Sequence, residues 1–341
     1  MSIEVTIIVP MRNEEKYLEY LINSIVNQTY PKEKLEVLLV DGMSEDRTKE
    51  IAERYIKKYP FLQLLENPKR IVSTALNIGI RKAKGEFIIV MSAHSFYGHN
   101  YVARCIQTLR KTGADVVGGP IITLPAGSSR IARSIAIATS NPFGVGNSKF
   151  RTSKESGYVD TVAFGAYRKR IFDKVGLFDE RLIRNQDIEL NSRIRRSGGK
   201  IYLNANIKSY YYNRSTLKGL WIQNFRNGEW NINTIQVNRR ALSLRHFVPL
   251  AFVSVLLGGL ILSPFFIIAR YFLLFVVISY LFASFFFSLC AVNKQNFNCL
   301  PFLPITYFVL HISYGLGSIW GLLNLKKMRQ RLLNQPKFQP L

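Results

Sequence analysis

Two apolar runs, residues 247–268 and 271–292, bound what this 341-residue chain can fold into. Each reaches the roughly 20 residues an α-helix needs to cross a bilayer, and only Ala269-Arg270 separates them. A third stretch, 299–325, is also apolar but carries Pro301, Pro304, Gly315, Gly317 and Gly321. These residues are expected to break it into a re-entrant or interfacial piece. After Glu229 there is no acidic residue, and the ten Lys and Arg that follow supply ten of the net +24 charges. Arg239, Arg240 and Arg245 precede the first run, and Lys326, Lys327, Arg329 and Arg331 follow the last. Both clusters prefer the cytosol, which requires an even number of crossings, here two. Met1-Ser2-Ile3-Glu4 leads into an apolar strand without a leader pattern. The expected plan is a multi-pass protein of the cell membrane: a cytosolic domain over 1–213, a connector over 214–246, a membrane region over 247–325 and a basic cytosolic tail over 326–341. Anionic lipid accounts for positive charge that brackets membrane spans, so nucleic acid is not an expected partner. Three cysteines, Cys105, Cys290 and Cys299, make neither a disulfide framework nor a spaced metal site.

The first 200 residues alternate short apolar runs with helical spacing. Val5-Thr6-Ile7-Ile8-Val9 and Val37-Leu38-Leu39-Val40 are continuous strands, followed by helical patterns over 14–28 and 46–59. A third helix over 71–84 leads into the apolar strand Phe87-Ile88-Ile89-Val90-Met91. That alternation predicts an α/β fold with a doubly wound, mostly parallel sheet. Ligands in such folds sit beyond the carboxyl ends of the strands. The polar groups found there are Pro10-Met11-Arg12-Asn13-Glu14, Asp41-Gly42 and Ser92-Ala93-His94. Glycine-rich dinucleotide and P-loop cradles are absent.

Taken together, Ile7-Ile8-Val9-Pro10-Met11-Arg12-Asn13-Glu14, Val40-Asp41-Gly42-Met43-Ser44 and Leu76-Asn77-Ile78-Gly79 resemble the nucleotide half of family 2 glycosyltransferases with the GT-A fold. The later motifs Asp160–Arg168, Val175–Glu180 and Arg184–Arg193 agree. The resemblance spans residues 3 to about 230 and is to bacterial exopolysaccharide enzymes of the succinoglycan glucosyltransferase type. It implies an inverting transfer from a nucleotide-diphosphate sugar, a UDP-sugar being favoured. It also implies that Pro10, Arg12, Glu14 and Asp41 line the base and ribose pocket, and that Lys69 or Arg70, with Arg70 favoured, meets the diphosphate.

The departure from the family pattern is Ser92-Ala93-His94, where relatives carry Asp-x-Asp or Asp-Ala-His to hold a divalent cation. Mg²⁺ prefers carboxylates and phosphates, whereas an imidazole suits Mn²⁺ better. Two outcomes follow: His94 binds metal together with the diphosphate oxygens, or cationic side chains replace the metal. Ser92 retains a hydroxyl for ribose or phosphate. The resemblance assigns the catalytic base to Asp187, at the start of a helix over 187–196, where amide N–H groups favour a carboxylate. Gln186 accompanies it on the acceptor side, and Asp179-Glu180 either positions the acceptor or caps a turn.

In the connector, Leu217, Leu220, Trp221 and Phe225 form one apolar face beside Arg214, Lys218 and Arg226, the pattern of an interfacial helix. Arg214 and Arg226 are expected to meet the diphosphate of a polyprenyl-linked acceptor, with Trp230 nearby. The segment loosely resembles the Gln-x-x-Arg-Trp motif of processive synthases, although its spacing departs. The leading expectation is transfer onto a lipid-linked oligosaccharide in cell-surface polysaccharide synthesis. Its alternatives are transfer to a polyprenyl phosphate, or a catalytically degenerate nucleotide-sugar-binding scaffold.

Overall fold

The computed structural model describes residues 2–326 and Gln330. Lys327, Arg329, Arg331 and the rest of the expected basic tail beyond Lys326 otherwise lie outside the described residues. The strands begin with β1 (Val5–Met11), β2 (Leu35–Asp41), β3 (Leu62–Glu66), β4 (Phe87–Val90) and β5 (Ser95–Tyr97). They continue with β6 (Val116–Gly118), β7 (Ile121–Leu124), β8 (Gly157–Tyr158), β9 (Ala166–Arg168), β10 (Ile201–Leu203) and β11 (Ser209–Tyr212). The helices are α1 (Leu18–Val26), α2 (Thr48–Lys58), α3 (Val72–Lys82), α4 (Tyr101–Thr112), α5 (Arg130–Ala138), α6 (Pro142–Val145) and α7 (Lys149–Thr152). After them come α8 (Arg170–Val175), α9 (Gln186–Arg196), α10 (Leu217–Val237), α11 (Val248–Leu262), α12 (Ile267–Ala291) and α13 (Leu303–Leu323). The described residues divide into two compact units, one of residues up to Ile122 with Ser153–Tyr211 and the other of Thr123–Thr152 with the described residues from Tyr212 on.

The first unit is built on an eight-stranded sheet of order β3-β2-β1-β4-β9-β6-β10-β8. The pairs β1–β2, β2–β3, β1–β4 and β6–β10 are parallel, and β9 and β8 run antiparallel to their neighbours. β2 is buried along its whole length and β1 nearly so, as mainly apolar central strands covered on both faces require, and the polar pair inside them is satisfied by Thr6 Oγ1 donating to Glu36 Oε1 at 2.6 Å. α1 meets the sheet with Leu18, Leu21, Ile22 and Ile25, one stripe at helical spacing. α3 lies so close to β1 that a Cβ on Gly79 would sit 2.6 Å from Ile8 Cγ2. β3 escaped the sequence pattern because it is the edge strand and only Leu62 is fully buried. The chain runs from β1 outward through β2 to β3, then returns to place β4 on the other side of β1. The gap beyond the carboxyl ends of β1 and β4 is therefore the topological switch point, where ligands settle in such sheets.

In the second unit three helices are long and apolar enough to cross a membrane: Leu244–Leu262, Ile267–Ala291 and Phe297–Leu323. The break between the first two lies at Ser263–Phe266, and Arg270 is inside α12, with Nη2 on the Ser263 carbonyl at 3.3 Å. The third stretch corrects an expectation, since α13 is continuous for 21 residues. Pro304 falls in its first turn, where no helical N–H is lost, and Pro301 lies in the 3₁₀ turn before it. The glycines serve close packing. A Cβ on Gly317 would be 1.9 Å from the Phe225 carbonyl oxygen, and one on Gly228 would be 2.0 Å from that of Tyr314. α10 and α13 thus touch backbone to backbone, as small residues permit in membrane helix pairs. The buried face of α10 combines Leu220 and Ile232 with the small or polar Gly228, Asn231, Asn233 and Thr234, while Trp221 of the expected apolar face is 36% exposed.

Candidate functional site

A cavity of about 330 Å³ occupies the switch point. The end of β1 contributes Pro10, Met11 and Arg12, and Glu14 follows. Beyond β4 the chain turns at Ala93-His94, where Ser95 N–H donates to the Ser92 carbonyl at 3.2 Å, and burial alternates: Met91, Ala93 and Ser95 are buried, whereas Ser92, His94 and Phe96 are half-buried. The turn sets Ser92 and His94 in the cavity wall, together with Met91 and Ala93. Gln186 and Asp187, the first residues of α9, close the opposite side.

Each loop around the cavity is held by its neighbours. Asn13 N–H donates to Ser44 Oγ at 2.9 Å, Glu45 N–H to Asn13 Oδ1 at 2.9 Å, and Glu14 N–H to Thr48 Oγ1 at 2.7 Å. The five non-glycine residues with positive φ among those described are Asn13, Met43, Arg70, Phe164 and Asn185. Arg70 and Phe164 line the cavity, and the other three each adjoin a lining residue. Backbone strain of this kind concentrates where a site is pre-shaped.

His94 Nδ1 lies 3.1 Å from Glu14 Oε1, and its ring stands edge-on to Tyr211 at 5.3 Å. Among the described residues no group of three or more His, Cys, Asp or Glu side chains is arranged to hold a metal. His94 and Glu14 supply two such donors, so a cation here would complete its shell with ligand oxygens.

α9 is fastened to the body of the unit by Arg193. Its guanidinium meets Glu189 Oε2 at 2.7 Å and donates to the Leu177 carbonyl at 2.7 Å. This bracing anchors the body of α9, the helix that opens with Gln186 and Asp187. Burial, and then the negative charge of Asp187, push the Tyr167 hydroxyl far above its usual range. Tyr167 lines the same cavity, so the Asp187 charge acts within it.

The remaining expected residues are placed as follows. Asp41 is 3% exposed, and its carboxylate accepts from Ser44 Oγ at 2.6 Å and Ser44 N–H at 3.1 Å. It stands behind the wall, with Gly42 in the lining. Arg70 lines the cavity, whereas Lys69 is turned to Glu180 at 2.9 Å. Asp179 holds Arg181 through contacts of 2.6–3.2 Å. Glu180 accepts from Lys69 and from Asn77, the latter at 3.1 Å. Neither Asp179 nor Glu180 is in the cavity lining. Burial raises the Glu180 pKa, but hydrogen bonds from Lys69 and Asn77 and the charges of Lys69 and Arg81 outweigh it, leaving the carboxyl below its ordinary range. Asn77 also exchanges hydrogen bonds with the Phe178 backbone at 2.9 and 3.0 Å. The Leu76–Gly79 and Val175–Glu180 motifs are thus two halves of one clamp. Arg214, Arg226 and Trp230 belong to the second unit, the two arginines exposed and the tryptophan half-buried.

Sequence reasoning passed over Asn67, Phe164 and Tyr167, which all line the cavity. Asn67 follows the unrecognised β3, and the other two lie around the short β9, so no long apolar run announced them.

The family model described as glycosyl transferase family 2 matches residues 6–176. The dolichyl N-acetyl-alpha-D-glucosaminyl phosphate 3-beta-D-2,3-diacetamido-2,3-dideoxy-beta-D-glucuronosyltransferase of Methanococcus voltae is 31% identical over 322 residues, covering 91% of this chain and 95% of that protein. The succinoglycan biosynthesis protein ExoA of Rhizobium meliloti is 31% identical over 257 residues, covering 75% and 77%. Among solved structures, the mannosyltransferase PcManGT of Pyrobaculum calidifontis, in complex with GDP-Man and Mn²⁺, superposes with a TM-score of 0.62 at 16% identity. The alignment covers 92% of this chain and 87% of that one, a likeness of fold. The matched motifs, the sheet order and the cavity at its switch point agree, and the chain belongs to glycosyl transferase family 2.

Proposed function

We propose that the chain transfers a sugar, with inversion, from a nucleoside-diphosphate sugar in the switch-point cavity to a lipid-linked acceptor. The observation that carries this reading is the single cavity that joins Arg12, Arg70, Ser92 and His94 to Asp187. Pro10, Arg12, Glu14, Asp41, Arg70 and Ser92 serve the donor, with Asp41 acting from behind the wall. Asp187 takes the proton from the acceptor hydroxyl as its oxygen attacks the anomeric carbon, and the carbon–oxygen bond to the diphosphate breaks. Arg12 serves the base and ribose, and Arg70 faces the charge that develops on the leaving diphosphate. His94 would hold a divalent cation, which would supply further neutralisation of that charge. Gln186 lies beside the attacking hydroxyl, and Asp179 and Glu180 support the acceptor side by fixing the segment before α9.

The lipid-linked acceptor is suggested by the named activity of the Methanococcus voltae protein and by the three apolar helices of this chain. Arg214, Arg226 and Trp230 are the residues we assign to it. Arg239, Arg240 and Arg245, ahead of the first apolar helix, support a cytosolic catalytic unit. The test is a donor screen in membranes: UDP-, GDP- and dTDP-sugars labelled in the sugar, with and without chelator, followed by extraction of labelled lipid. Wild type labels lipid with one donor, and Asp187→Asn lowers that rate by about 10²–10⁴-fold while nucleotide binding persists. Unchanged turnover in Asp187→Asn would instead indicate attack by a phosphate oxygen, which needs no base.

A further inference from the structure

We infer that α11 and α12 alone cross the bilayer, and that α13, although unbroken, lies along the membrane surface on the side from which α11 starts. α10 runs beside α13 in the same direction. Leu220 packs with Leu310. A Cβ on Gly228 would meet the Tyr314 carbonyl and the Ser318 nitrogen, and one on Gly321 would lie 3.0 Å from Ile232 Cβ. The contact therefore persists over residues 220–232 of α10 and 310–321 of α13, about 18 Å of helix. The 21 residues of α13 make a helix of about 31 Å, close to the thickness of the hydrocarbon core. If it spanned, Arg226 and Glu229, on either side of Gly228, would lie near the bilayer centre. Arg226 and Lys218 are exposed, Glu229 is half-buried, and six Asn and Gln side chains share their helix. Hydrocarbon excludes exposed charges at that depth.

The connections give the same answer independently. α12 returns to the side from which α11 started, and its last residue, Ala291, joins Leu303 and Tyr307 at the start of α13 in one apolar cluster. A spanning α13 would end on the far side, and α10, parallel to it, would end there too. Residues 238–247 lead from α10 into α11, which starts on the near side. That segment holds Arg239, Arg240 and Arg245 and would have to cross the bilayer largely as irregular backbone, which hydrocarbon does not tolerate. The start of α11 instead meets the middle of α13: a Cβ on Gly315 would be 2.4 Å from the Pro249 carbonyl oxygen. Asn231 Nδ2 reaches both the His246 carbonyl, at 3.4 Å, and Tyr314 Oη. Burial separates the helices in the same way. Val253 is the one buried residue of α11, and Ser284 and Ser288 are those of α12, whereas α13 buries a whole face. Its open side is a single apolar stripe at steps of three and four, with Ile305, Phe308, Trp320 and Leu323 exposed and Ile312 and Leu316 half-buried between them. One apolar stripe bearing a tryptophan, backed by a polar helix, fits the boundary between headgroups and acyl chains. Lys326 and the basic residues after it then share a side with Arg239, Arg240 and Arg245, the distribution that Lys and Arg prefer.

The experiment labels cysteines in cells expressing the full chain, with Cys290→Ala as the background because Cys105 and Cys299 are buried. Pro264→Cys places a thiol between α11 and α12, Arg240→Cys one ahead of α11, and Asn324→Cys one just after α13. A membrane-impermeant maleimide is applied to intact cells and again after permeabilisation. Pro264→Cys should react from one side of the membrane, and Arg240→Cys and Asn324→Cys only from the other. Reaction of Asn324→Cys from the Pro264 side would reveal a third crossing and overturn the inference. So would reaction of Pro264→Cys from the Arg240 side, because the hairpin of α11 and α12 would then not cross. A protease-cleavable tag after Leu341 of the unsubstituted chain reads the same question without a variant. It should be cut only from the side on which Arg240→Cys reacts, and cleavage from the opposite side would refute the two-span arrangement.

Discussion

Replacing Gly317 by Ala tests whether α10 and α13 truly meet backbone to backbone. The new Cβ would stand 1.9 Å from the Phe225 carbonyl oxygen, 2.7 Å from its carbon and 2.9 Å from Phe225 Cα. All three atoms are main chain, so no side chain can swing aside. Restoring ordinary contact separates the helices locally by roughly 1.5 Å, and overpacking on that scale costs about 1–3 kcal/mol. The same movement stretches Asn231 Nδ2 to Tyr314 Oη, now 2.6 Å, and Ser318 Oγ to the Gly228 carbonyl, now 3.2 Å. Each lost hydrogen bond adds about 1 kcal/mol, while the better helix propensity of Ala returns about 1 kcal/mol. The net expectation is a destabilisation of about 2–4 kcal/mol. Gly258→Ala is the matched control, because nothing lies within 4 Å of its Cβ; it should be neutral or stabilising by up to about 1 kcal/mol. The chain's three tryptophans, Trp221, Trp230 and Trp320, all lie on α10 and α13. Tryptophan emission during thermal unfolding in detergent therefore reports on this helix pair. If Gly317→Ala melts with or above Gly258→Ala, the close contact is refuted.

Ser92→Asp restores the carboxylate at the strand end, and should raise the Mg²⁺-supported transfer rate relative to the Mn²⁺-supported rate by about tenfold. Glu180→Gln should cost about 0.5–1 kcal/mol at pH 7, a small value because Lys69 and Arg81 are about half exposed. The folded Glu180 pKa lies below the ordinary 4.5, so its stabilisation is complete above that pH and is lost as pH falls through the folded value. Chemical denaturation at pH 7 and at successively lower pH should show the variant's deficit shrink as the pH falls below 4.5. His311→Leu removes the group bridging Tyr280 Oη at 3.0 Å and the Phe143 carbonyl at 2.9 Å, and should lower stability in the tryptophan melt by about 1–3 kcal/mol, because two half-buried groups lose their partner.

What was legible in the sequence followed from backbone environment. β1, β2 and β4 are central strands, and burial on both faces wrote them as continuous apolar runs. Their ends then located the cavity, because a parallel sheet wound both ways leaves its opening at the carboxyl edge. β3 was hidden by its edge position, and β8 to β11 by lengths of two to four residues, too short for a period to register. The segment 123–152 offered few signals because its apolar residues are matched to distant partners. Phe143, for example, packs against Tyr280, Phe287, Tyr307 and His311.

Asn67 and Gly317 show why the rest was unreadable in advance. Asn67-Pro68 marks a turn, and a turn asparagine ordinarily spends its side chain on local backbone. Half of that expectation holds, since Nδ2 does so. What distinguishes the residue is the other half, an oxygen left over inside a cavity wall, and only three-dimensional accounting exposes a surplus of that kind. Gly317 is the converse. Small residues in an apolar stretch serve equally as a break or as a contact surface, and the two demand the same letter. The choice is made by the partner: with the Phe225 carbonyl lying 1.9 Å from where a side chain would begin, glycine is required and the helix runs on. Polar surplus and close approach are both properties of pairs, so a one-residue pattern marks where they can occur and their partners decide what they do.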